Sequence, residues 1–295
     1  MVKFLIMIPV FNDWDSLKKL LINIDNEIKN LKSIHVKCLI INDSSSIALK
    51  NLPKLQNIKE LVIINMLENK GHARCNAFGI RFLSNSNTID FDHLILMDSD
   101  GEDRPEELKS LINKSLENRD VSVVAKRIKR SEGFLFQLLY KLHKITTFLF
   151  TGNNINFGNY SCLTKKDVKV LSDKPSLWSS FSGSFKKHIK NYNEIESERG
   201  LRYFGPSKMS FFKLLIHSFA ILGVFKFIVF TRVTILFLIS LLINVMIFKS
   251  FYFYIFQFIL IFFCILVFIV SKRESKSALL NSDKNIDNVE TLLQQ

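Results

Sequence analysis

The chain has 295 residues and a formal net charge of +13, enough length for one sizeable α/β domain and an appendage. No recognised nucleic-acid-binding motif accompanies the positive charge, so we expect no nucleic-acid partner and favour a basic surface facing a membrane. The four cysteines have neither metal-ligand nor redox spacing, which argues against a zinc site or a disulfide framework.

The first two thirds of the chain alternate strand-like and helix-like patterns. Strands are predicted, in chain order, at "KFLIMIPV", "HVKCLIIND", "ELVIINM", "HLILMDSD" and "DVSVVAKR". Helices are predicted between them at "DWDSLKKLLINIDNEI", with Asp13 as a cap, at "GHARCNAFGIRFLS" and at "RPEELKSLI". This alternation predicts an α/β fold with a mostly parallel sheet and helices on both faces.

Two further segments follow the fifth predicted strand. The apolar stretch "SEGFLFQLLYKLHKITTFLF" (131–150) predicts a helix that packs in the core by default, with membrane docking or a cover over the active site as alternatives. The stretch "NFGNYSCLTKKDV" (156–168) predicts a strand and then a helix. Asn159 and Tyr160 in it are candidates for lining an acceptor site.

Polar residues stand at the ends of three predicted strands. The apolar run in "LILMDSDGEDRPEEL" stops at Asp98 and Asp100, while Asn12 with Asp13 and then Asp43 end two earlier strands. The carboxyl edge of an α/β sheet is where ligands bind, so these side chains should cluster there. If the strand persists, Asp98 and Asp100 point to the same side and suit Mg²⁺ or Mn²⁺, which could hold a diphosphate. The alternative is a carboxylate-rich loop that only adds solubility.

The last third contains two apolar stretches of membrane-spanning length, residues 227–248 and 250–271, separated by Lys249. The first holds one charge, Arg232, which can snorkel to the membrane surface, and the second holds none. We predict a transmembrane hairpin; the alternative is an unusually apolar hairpin in a soluble core.

Basic residues flank the predicted hairpin on its outer sides, which places both ends and both termini in the cytoplasm by the positive-inside rule. These residues are Lys208, Lys213, Lys226, Lys272, Arg273 and Lys276. The segment 208–226 is predicted to be an amphipathic helix at the membrane interface, with packing on the soluble domain as the alternative. The tail, residues 272–295, is polar, and we expect it to be cytoplasmic and partly disordered.

Four motifs occur in an order that resembles the family-two glycosyltransferases with a GT-A (Rossmann-like) fold: "IPVFNDWDSLKKLL", "IINDSSS", "ENKGHARCNAFGI" and "LMDSDGEDRPEEL". The later "RYFGPSKM", followed by an apolar helix and a two-helix hairpin, looks like the polyprenyl-phosphate branch. That branch includes dolichol-phosphate mannose synthase and the bacterial undecaprenyl-phosphate sugar transferases. The resemblance covers nearly the whole chain up to about Ser271.

The resemblance implies roles for individual residues. Asp98, Asp100 and Glu102 would hold Mg²⁺ or Mn²⁺, with Asp100 also counted as catalytic. Arg202 and Lys208 would be catalytic, in a segment close to the lipid acceptor. The residues expected to bind substrate are Pro9, Asn12, Asp43, Asn69, Gly71, Asp98, Arg127 and Ser207.

Four positions leave alternatives open. Asn42 replaces the first acid of the family's Asp-Asp-x-Ser, which leaves the choice of nucleotide base undetermined. His72 lies near the expected donor site, although a surface role at a helix start is at least as good an explanation. Arg202 and Lys208 could bind the acceptor phosphate or could simply follow the positive-inside rule.

The resulting hypothesis divides the chain into a cytoplasmic catalytic domain (1–207), an interfacial helix (208–226), a hairpin (227–271) and the tail (272–295). It would be an inverting, metal-dependent glycosyltransferase that moves a sugar from a nucleotide donor to a polyprenyl phosphate at the cytoplasmic membrane face, and a homo-oligomer is possible. The alternatives are transfer to a growing glycan or glycolipid, or a non-catalytic membrane scaffold that keeps the fold.

Overall fold

The protein is described here by a computed structural model, which covers residues 1–86, 88–129, 134–205 and 211–293. Eight strands form one sheet in the order β7-β5-β6-β4-β1-β2-β3-β8. The strands are β1 (Val2–Val10), β2 (Ile34–Asn42), β3 (Ile58–Met66), β4 (His93–Leu96), β5 (Ser122–Lys129), β6 (Phe157–Thr164), β7 (Tyr192–Glu198) and β8 (Ile286–Leu293).

The middle of the sheet is parallel, and its outer parts are mixed. Strands β4, β1, β2 and β3 are parallel neighbours, as are β5 and β7, whereas β6 and β8 run antiparallel to their partners. Pairing of β1 with β2 runs from Val2 opposite Ile34 to Val10 opposite Asn42, so both strands end at the same edge. The predicted α/β fold class and the five predicted strands are present.

Helices cover both faces of the sheet. They are α1 (Trp14–Ile28), α2 (His72–Asn85), α3 (Leu108–Glu117), α4 (Phe134–Thr151), α5 (Lys165–Leu171), α6 (Phe181–His188), α7 (Phe211–Val224), α8 (Lys226–Ile243), α9 (Phe251–Ser271) and α10 (Lys276–Leu280). Helices α1 and α3 bury apolar side chains in one core, and α2, α5 and α6 do so in the other. The central strands are buried on both sides, which explains their nearly continuous apolar sequences.

Strand β4 is shorter than the sequence predicts. It ends at Leu96, and the N–H of Met97 makes a last contact with the carbonyl of Met7 at 3.1 Å. The next N–H, that of Asp98, donates to the Asp103 carboxylate at 3.0 Å instead of continuing the sheet. Asp98 and Asp100 therefore lie on a loop, and strand alternation does not set their directions.

Helices α8 and α9 form the expected apolar hairpin. Two helical stretches, Lys226–Phe248 and Phe251–Leu280, are long and apolar enough to cross a membrane. A π-helical turn over Asn244–Phe248 leads into Lys249, whose φ of 47° is left-handed. The buried Asn244 side chain accepts from the N–H of Ser250 at 2.7 Å, which fixes the turn between the two helices.

Arg232, the one charge of the first apolar stretch, contacts the end of α4, and its snorkelling to the membrane surface stays a prediction. Its guanidinium donates to the carbonyl of Leu149 at 2.7 Å, in the last turn of α4. A cation at a helix C-terminus satisfies carbonyls that have no intrahelical partner. Arg232 thus ties α8 to α4, because a nearby protein acceptor costs less desolvation than an unpaired guanidinium among lipid tails.

The second half of α4 is not packed in a core, which was the default expectation. Its apolar side chains Leu142, Ile145 and Phe148 are 58%, 56% and 59% exposed. Helix α7 adds Phe212, which is 75% exposed, while its other face packs on α9 and α6. The two helices and the hairpin together present a broad apolar surface outside the sheet domain.

The expectation of a partly disordered tail is wrong for its described residues. Helix α10 follows the hairpin, and β8 pairs antiparallel with β3 along the edge of the sheet. Leu61 faces Leu292 and Ile64 faces Val289 in this pairing. A largely polar sequence can form this edge strand, because β8 pairs with the free backbone N–H and C=O groups of β3. Only one face of β8 needs apolar residues.

Candidate active site

The loop after β4 gathers four acids within six residues: Asp98, Asp100, Glu102 and Asp103. Gly101 gives the loop a φ of 88°, which non-glycine residues rarely adopt. The Asp103 carboxylate accepts from the N–H of Asp98, and the Asp100 carboxylate accepts from the N–H of Glu102 at 3.0 Å. The acids therefore fold the loop on themselves and hold several carboxylates close together.

Each acid of this loop faces a cationic side chain from a distant part of the chain. Asp98 contacts the Nε2 of His72 at 2.8 Å, and Asp103 lies 3.8 Å from a guanidinium nitrogen of Arg127. Glu102 pairs with Arg199. The site is thus assembled from the start of α2, the end of β5 and the segment after β7.

Arg202 bridges two of the carboxylates at the sheet edge. One guanidinium nitrogen pairs with Asp100, and the other donates to Asp13, which follows β1, at 2.8 Å. All three side chains are largely buried, with Arg202 only 14% exposed. The planar guanidinium suits such a fork because its nitrogens diverge toward two acceptors at once.

Backbone contacts hold the Arg202 segment against the acidic loop. The N–H of Tyr203 donates to the carbonyl of Asp100 at 2.9 Å, and the N–H of Gly200 donates to the carbonyl of Glu102 at 2.8 Å. The Tyr203 ring lies over Gly101, where an added Cβ would stand 2.7 Å from ring carbons. The absence of a side chain at Gly101 therefore allows this close approach.

Asp43 organises a second loop beside the acidic one. It is 3% exposed, and its two oxygens accept from the N–H groups of Lys70 and Gly71, both at 2.8 Å. The Asn69 side chain donates to the carbonyl of Asp43 at 3.1 Å. The predicted residues Asp43, Asn69 and Gly71 are therefore brought together at the N-terminus of α2.

The start of α2 joins the two loops. Gly71 contacts Asp43, and the next residue, His72, contacts Asp98. Partial burial alone would lower the pKa of His72, but the Asp98 carboxylate outweighs this and raises it to about 9. The imidazole is 44% exposed, so solvent screens the pair and we assign no stability to it. His72 is thus part of the site and not only a surface residue.

The loops after β1 and β2 contact each other. The Asn12 N–H donates to the Ser45 hydroxyl at 2.9 Å, and the Asn12 side chain accepts from the N–H of Ile47 at 3.0 Å. Asn12 and Ser44 both have left-handed φ values, 49° and 58°. Such conformations persist where neighbouring contacts hold them, and they often occur at functional sites.

Asn42 faces the other side of this edge. Its side chain donates to Asn65 at 2.8 Å and accepts from the N–H of Ser45 at 3.0 Å. Asn65 in turn contacts Asn288 and Glu290 of the tail strand. An amide at position 42 can donate and accept in this chain of contacts, whereas an ionised acid could only accept.

The remaining predicted residues divide into three groups. Pro9 is buried within β1 opposite Ile41, one residue before Val10, whose carbonyl binds the N–H of Asp43. Asn159 reaches Asp98 at 3.4 Å, and the buried Tyr160 donates to the carbonyl of Arg104 at 3.2 Å, so a role of either residue at an acceptor site stays a prediction. Ser207 and Lys208 lie outside the described residues.

Burial dominates the electrostatics of the acidic loop. Burial and the neighbouring Asp98 charge raise the pKa of Asp100, and the same two causes raise that of Asp103 to about 7. Burial is also the main cause of the raised pKa of Glu102. Each of these acids faces one of the cationic side chains named above, so the site holds buried carboxylates and cations side by side.

Two of the acids fit a hard divalent cation. Asp98 and Asp100 offer carboxylate oxygens, and Mg²⁺ or Mn²⁺ often takes one or two protein carboxylates and completes its shell with water and substrate phosphates. Within the described residues, no group of three or more His, Cys, Asp or Glu side chains forms a ready-made site. Glu102 faces Arg199, so it is a weaker candidate ligand than the sequence implied.

Asp103 and Arg199 were not predicted as site residues from the sequence, whereas Asp13 was predicted to lie at this edge but received no role there beyond capping α1. Asp13 was expected to cap α1, but its carboxylate instead accepts from Ser16 and Arg202, and no side-chain cap bond forms. The available signals were its place at the end of β1 and, for Arg199, an arginine three residues before Arg202.

The sequence profile of glycosyl transferase family 2 matches residues 5–182, which is more than half of the chain. The match includes the acidic loop after β4, and the segment after β7 that carries Arg199 and Arg202 lies beyond it. The chain belongs to glycosyl transferase family 2. The family resemblance stated from the sequence is therefore confirmed, as is the branch of relatives it pointed to.

Two curated relatives in this family share about a quarter of their residues with the chain. An undecaprenyl-phosphate 4-deoxy-4-formamido-L-arabinose transferase of Proteus mirabilis is 26% identical over 224 residues, which cover 72% of this chain and 64% of the relative. The match thus spans somewhat less than two thirds of that relative's length. An uncharacterised glycosyltransferase of Synechocystis is 25% identical over 228 residues, 75% of this chain and 68% of the relative.

Two solved structures share the fold at low sequence identity. Mannosyl-3-phosphoglycerate synthase of Rubrobacter xylanophilus has a TM-score of 0.53 and 12% identity, covering 76% of this chain and 72% of that chain. Glucosyl-3-phosphoglycerate synthase of Mycobacterium tuberculosis, solved with Mn²⁺, UDP-glucose and phosphoglyceric acid, has a TM-score of 0.52 and 10% identity, covering 77% and 80%. These likenesses show the GT-A fold of this family-two chain.

Proposed function

We propose that this family-two protein is a membrane-anchored enzyme that transfers a sugar from a nucleotide sugar to a polyprenyl phosphate. The observation that carries the proposal is the position of Arg202. Its guanidinium lies at the acidic loop after β4, in a segment that leads within a few residues to α7 and the apolar hairpin. A lipid-borne phosphate at the membrane surface could therefore approach a cation that already belongs to the acidic site.

The nucleotide-sugar donor would lie along the edge formed by the loops after β1, β2 and β3. Asp43, Asn69 and Gly71 form one side of this edge, and Asp98 and Asp100 form the other. Asp98 and Asp100 would hold Mg²⁺ or Mn²⁺, which would neutralise charge on the diphosphate leaving group. The fold neighbour solved with Mn²⁺ and UDP-glucose supports a divalent cation, and so do the neighbouring carboxylates of Asp98 and Asp100.

The chemistry needs positioning more than proton transfer. A phosphate oxygen of the acceptor attacks the anomeric carbon, the bond from that carbon to the donor diphosphate breaks, and a nucleoside diphosphate leaves. Attack from the side opposite the leaving group inverts the anomeric configuration. The acceptor phosphate is ionised at neutral pH, so no strong general base is required, and arginine or lysine side chains would hold it.

The undecaprenyl-phosphate sugar transferases among the relatives support a polyprenyl-phosphate acceptor. The two long apolar helices and the exposed apolar side chains of α4 and α7 support attachment to a membrane. The basic residues beside the hairpin favour the cytoplasmic face. A growing glycan or a glycolipid is the alternative acceptor. The pair Asp98 and Asp100, which the fold holds beside Arg202 at the sheet edge, argues against a scaffold without activity.

The test is an assay of purified full-length protein with labelled UDP-, GDP- and dTDP-sugars, undecaprenyl phosphate and Mg²⁺ or Mn²⁺, followed by lipid extraction. We expect label in the lipid fraction with one class of donor. Asp100→Asn should lower the rate by several orders of magnitude, because loss of a metal-held leaving-group site can cost several kcal/mol. Glu106→Gln, at an exposed acid of the same segment, is the matched control and should stay near the wild-type rate.

Label that appears only in a glycan fraction would support the alternative acceptor. A thermal-shift measurement with nucleotide sugars and Mn²⁺ distinguishes a transferase, whether its acceptor is a lipid or a glycan, from a scaffold. A scaffold should show no metal-dependent stabilisation.

A further inference from the structure

A second cavity lies away from the acidic site, between the sheet domain and the base of the hairpin. Its volume is about 560 Å³, within the usual range for small-molecule sites. The loop after β3 and the start of α2 form one wall, and the chain from the end of α9 to Asn285 forms the other. The cavity is thus closed by the tail that the sequence did not predict to be ordered.

The charged side chains of this cavity are nearly all cationic. Five basic residues line it against one acid, Glu68, and they are Lys70, Arg74, Lys272, Arg273 and Lys284. Glu68 is already paired with Lys70. Among the described residues, neither Arg74 nor Arg273 forms an ion pair with a carboxylate, so the positive charge of this cavity is not balanced from within the protein.

Two half-buried arginines at the wall of the cavity each have an unused hydrogen-bond donor. The Nε atoms of Arg74 and Arg273 are inaccessible to solvent and have no acceptor among the described residues. Burial first, and then the nearby charge of Arg74, lower the pKa of Arg273. Two cationic groups that influence each other and have no carboxylate partner among the described residues offer a favourable place for an anionic acceptor.

Contacts of the tail keep the cavity in one shape. The Asn285 side chain donates to the carbonyl of Glu68 at 2.9 Å and accepts from its N–H at 3.1 Å. The Arg74 guanidinium stacks over the Trp178 ring at 5.8 Å. Glu274, the acid nearest in sequence to Arg273, is directed elsewhere and contacts Lys226 at 3.3 Å.

The position of the cavity indicates where its ligand comes from. Lys272 and Arg273 directly follow the last residue of α9, so they stand where an apolar helix of membrane-spanning length ends. Basic pockets at that level meet the phosphates of lipid headgroups. We propose that this cavity binds the phosphate of an anionic membrane lipid, at a site separate from the acidic loop and Arg202.

The test compares thermal unfolding of the full-length protein in phosphatidylcholine nanodiscs with and without phosphatidylglycerol. The wild-type midpoint should rise by several degrees with phosphatidylglycerol, because a ligand that binds only the folded state stabilises it. The double variant Arg74→Gln, Arg273→Gln should lose this rise, and Lys284→Gln, at an exposed wall position, should lose part of it. Each variant is compared with itself between the two lipids, so a change in its basal stability does not affect the result.

Lys276→Gln is the matched control, since Lys276 is an exposed basic residue just beyond the cavity and does not line it. It should keep the wild-type rise. If Lys276→Gln loses as much of the rise in thermal midpoint as the double variant, or if the double variant keeps the full rise, the effect is diffuse attraction to the membrane. Either result would contradict a lipid site in this cavity. If inorganic phosphate added to phosphatidylcholine nanodiscs raises the thermal midpoint as much, the cavity binds free phosphate and the proposal of a lipid ligand is wrong.

Discussion

At the scale of single residues, the position of Arg202 is the feature that sequence reasoning could reach only in part. The motif around it indicated a place near the active site. Its partner Asp13 is 189 positions away in the chain, and no local pattern can predict that pairing. Asp98 and Asp100, by contrast, follow an apolar run directly, so a site at that edge was predictable from the chain alone.

Replacing Arg202 should affect the acceptor more than the donor. We expect Arg202→Ala to cost about 2–5 kcal/mol in transfer to lipid if the acceptor phosphate is desolvated against it. Arg202→Lys should recover part of the loss, because a point charge does not reproduce the guanidinium fork. The measurement is lipid-product formation against polyprenyl-phosphate concentration, with donor affinity determined separately.

An Arg202→Ala variant with the wild-type rate, or with a defect confined to donor binding, would show that Arg202 does not hold the acceptor. Arg104→Ala is a control, since Arg104 is a more exposed arginine whose ion pairs are longer than 3 Å.

Gly101 should be intolerant of a side chain for two separable reasons. Gly101→Ala meets a left-handed backbone, which costs about 1–2 kcal/mol, and its Cβ would also displace the Tyr203 ring. Gly205→Ala has a similar φ of 68°, and among the described residues it meets no atom within 4 Å. We expect both variants to lose stability, Gly101→Ala more because the Tyr203 ring must also shift, and Gly101→Ala alone to lose most of its transferase activity. If Gly101→Ala and Gly205→Ala have equal transferase activity, the contact between Gly101 and the Tyr203 ring is not needed for function.

At the scale of elements, the sequence predicted the buried strands well and the edge strands poorly. Strands β1 to β5 carry apolar runs that identify them. The sequences of β7, "YNEIESE", and β8, "IDNVETLL", are polar because each covers a sheet edge and buries few side chains. Strand β4 was predicted too long, because the apolar run into Met97 does not reveal that Asp103 takes the next N–H.

The tail strand should contribute measurably to stability. Val289→Pro places a residue without an N–H in the middle of β8, opposite Ile64, and should lower the thermal midpoint by several degrees. Val289→Thr keeps the β-branched shape and the N–H at this half-exposed position, and should change the midpoint little. If both variants unfold at the wild-type temperature, pairing of β8 with β3 does not stabilise the domain in solution.

At the scale of the whole molecule, the basic residues and the apolar hairpin define an orientation in the membrane. We expect Lys249, in the turn between α8 and α9, to lie outside the cytoplasm and Lys276 to lie inside. Single cysteines at these exposed positions can be labelled in intact cells with an impermeant reagent. The native Cys38, Cys75 and Cys162 are buried, and Cys264 can be changed to serine to lower the background.

Labelling of position 249 but not 276 is the expected result. Labelling of 276 alone would reverse the orientation and place the acidic site outside the cytoplasm, where nucleotide sugars are not supplied.

The most direct test of the account is the chemical identity of the product formed from a nucleotide sugar and undecaprenyl phosphate by the purified protein. Mass spectrometry and NMR of the extracted lipid should show one sugar joined through a single phosphate, with its anomeric configuration inverted from that of the donor. Its formation should require a divalent cation and should be lost in Asp100→Asn. A lipid with a diphosphate linkage, a retained configuration, or sugar found only on a glycan would contradict the account.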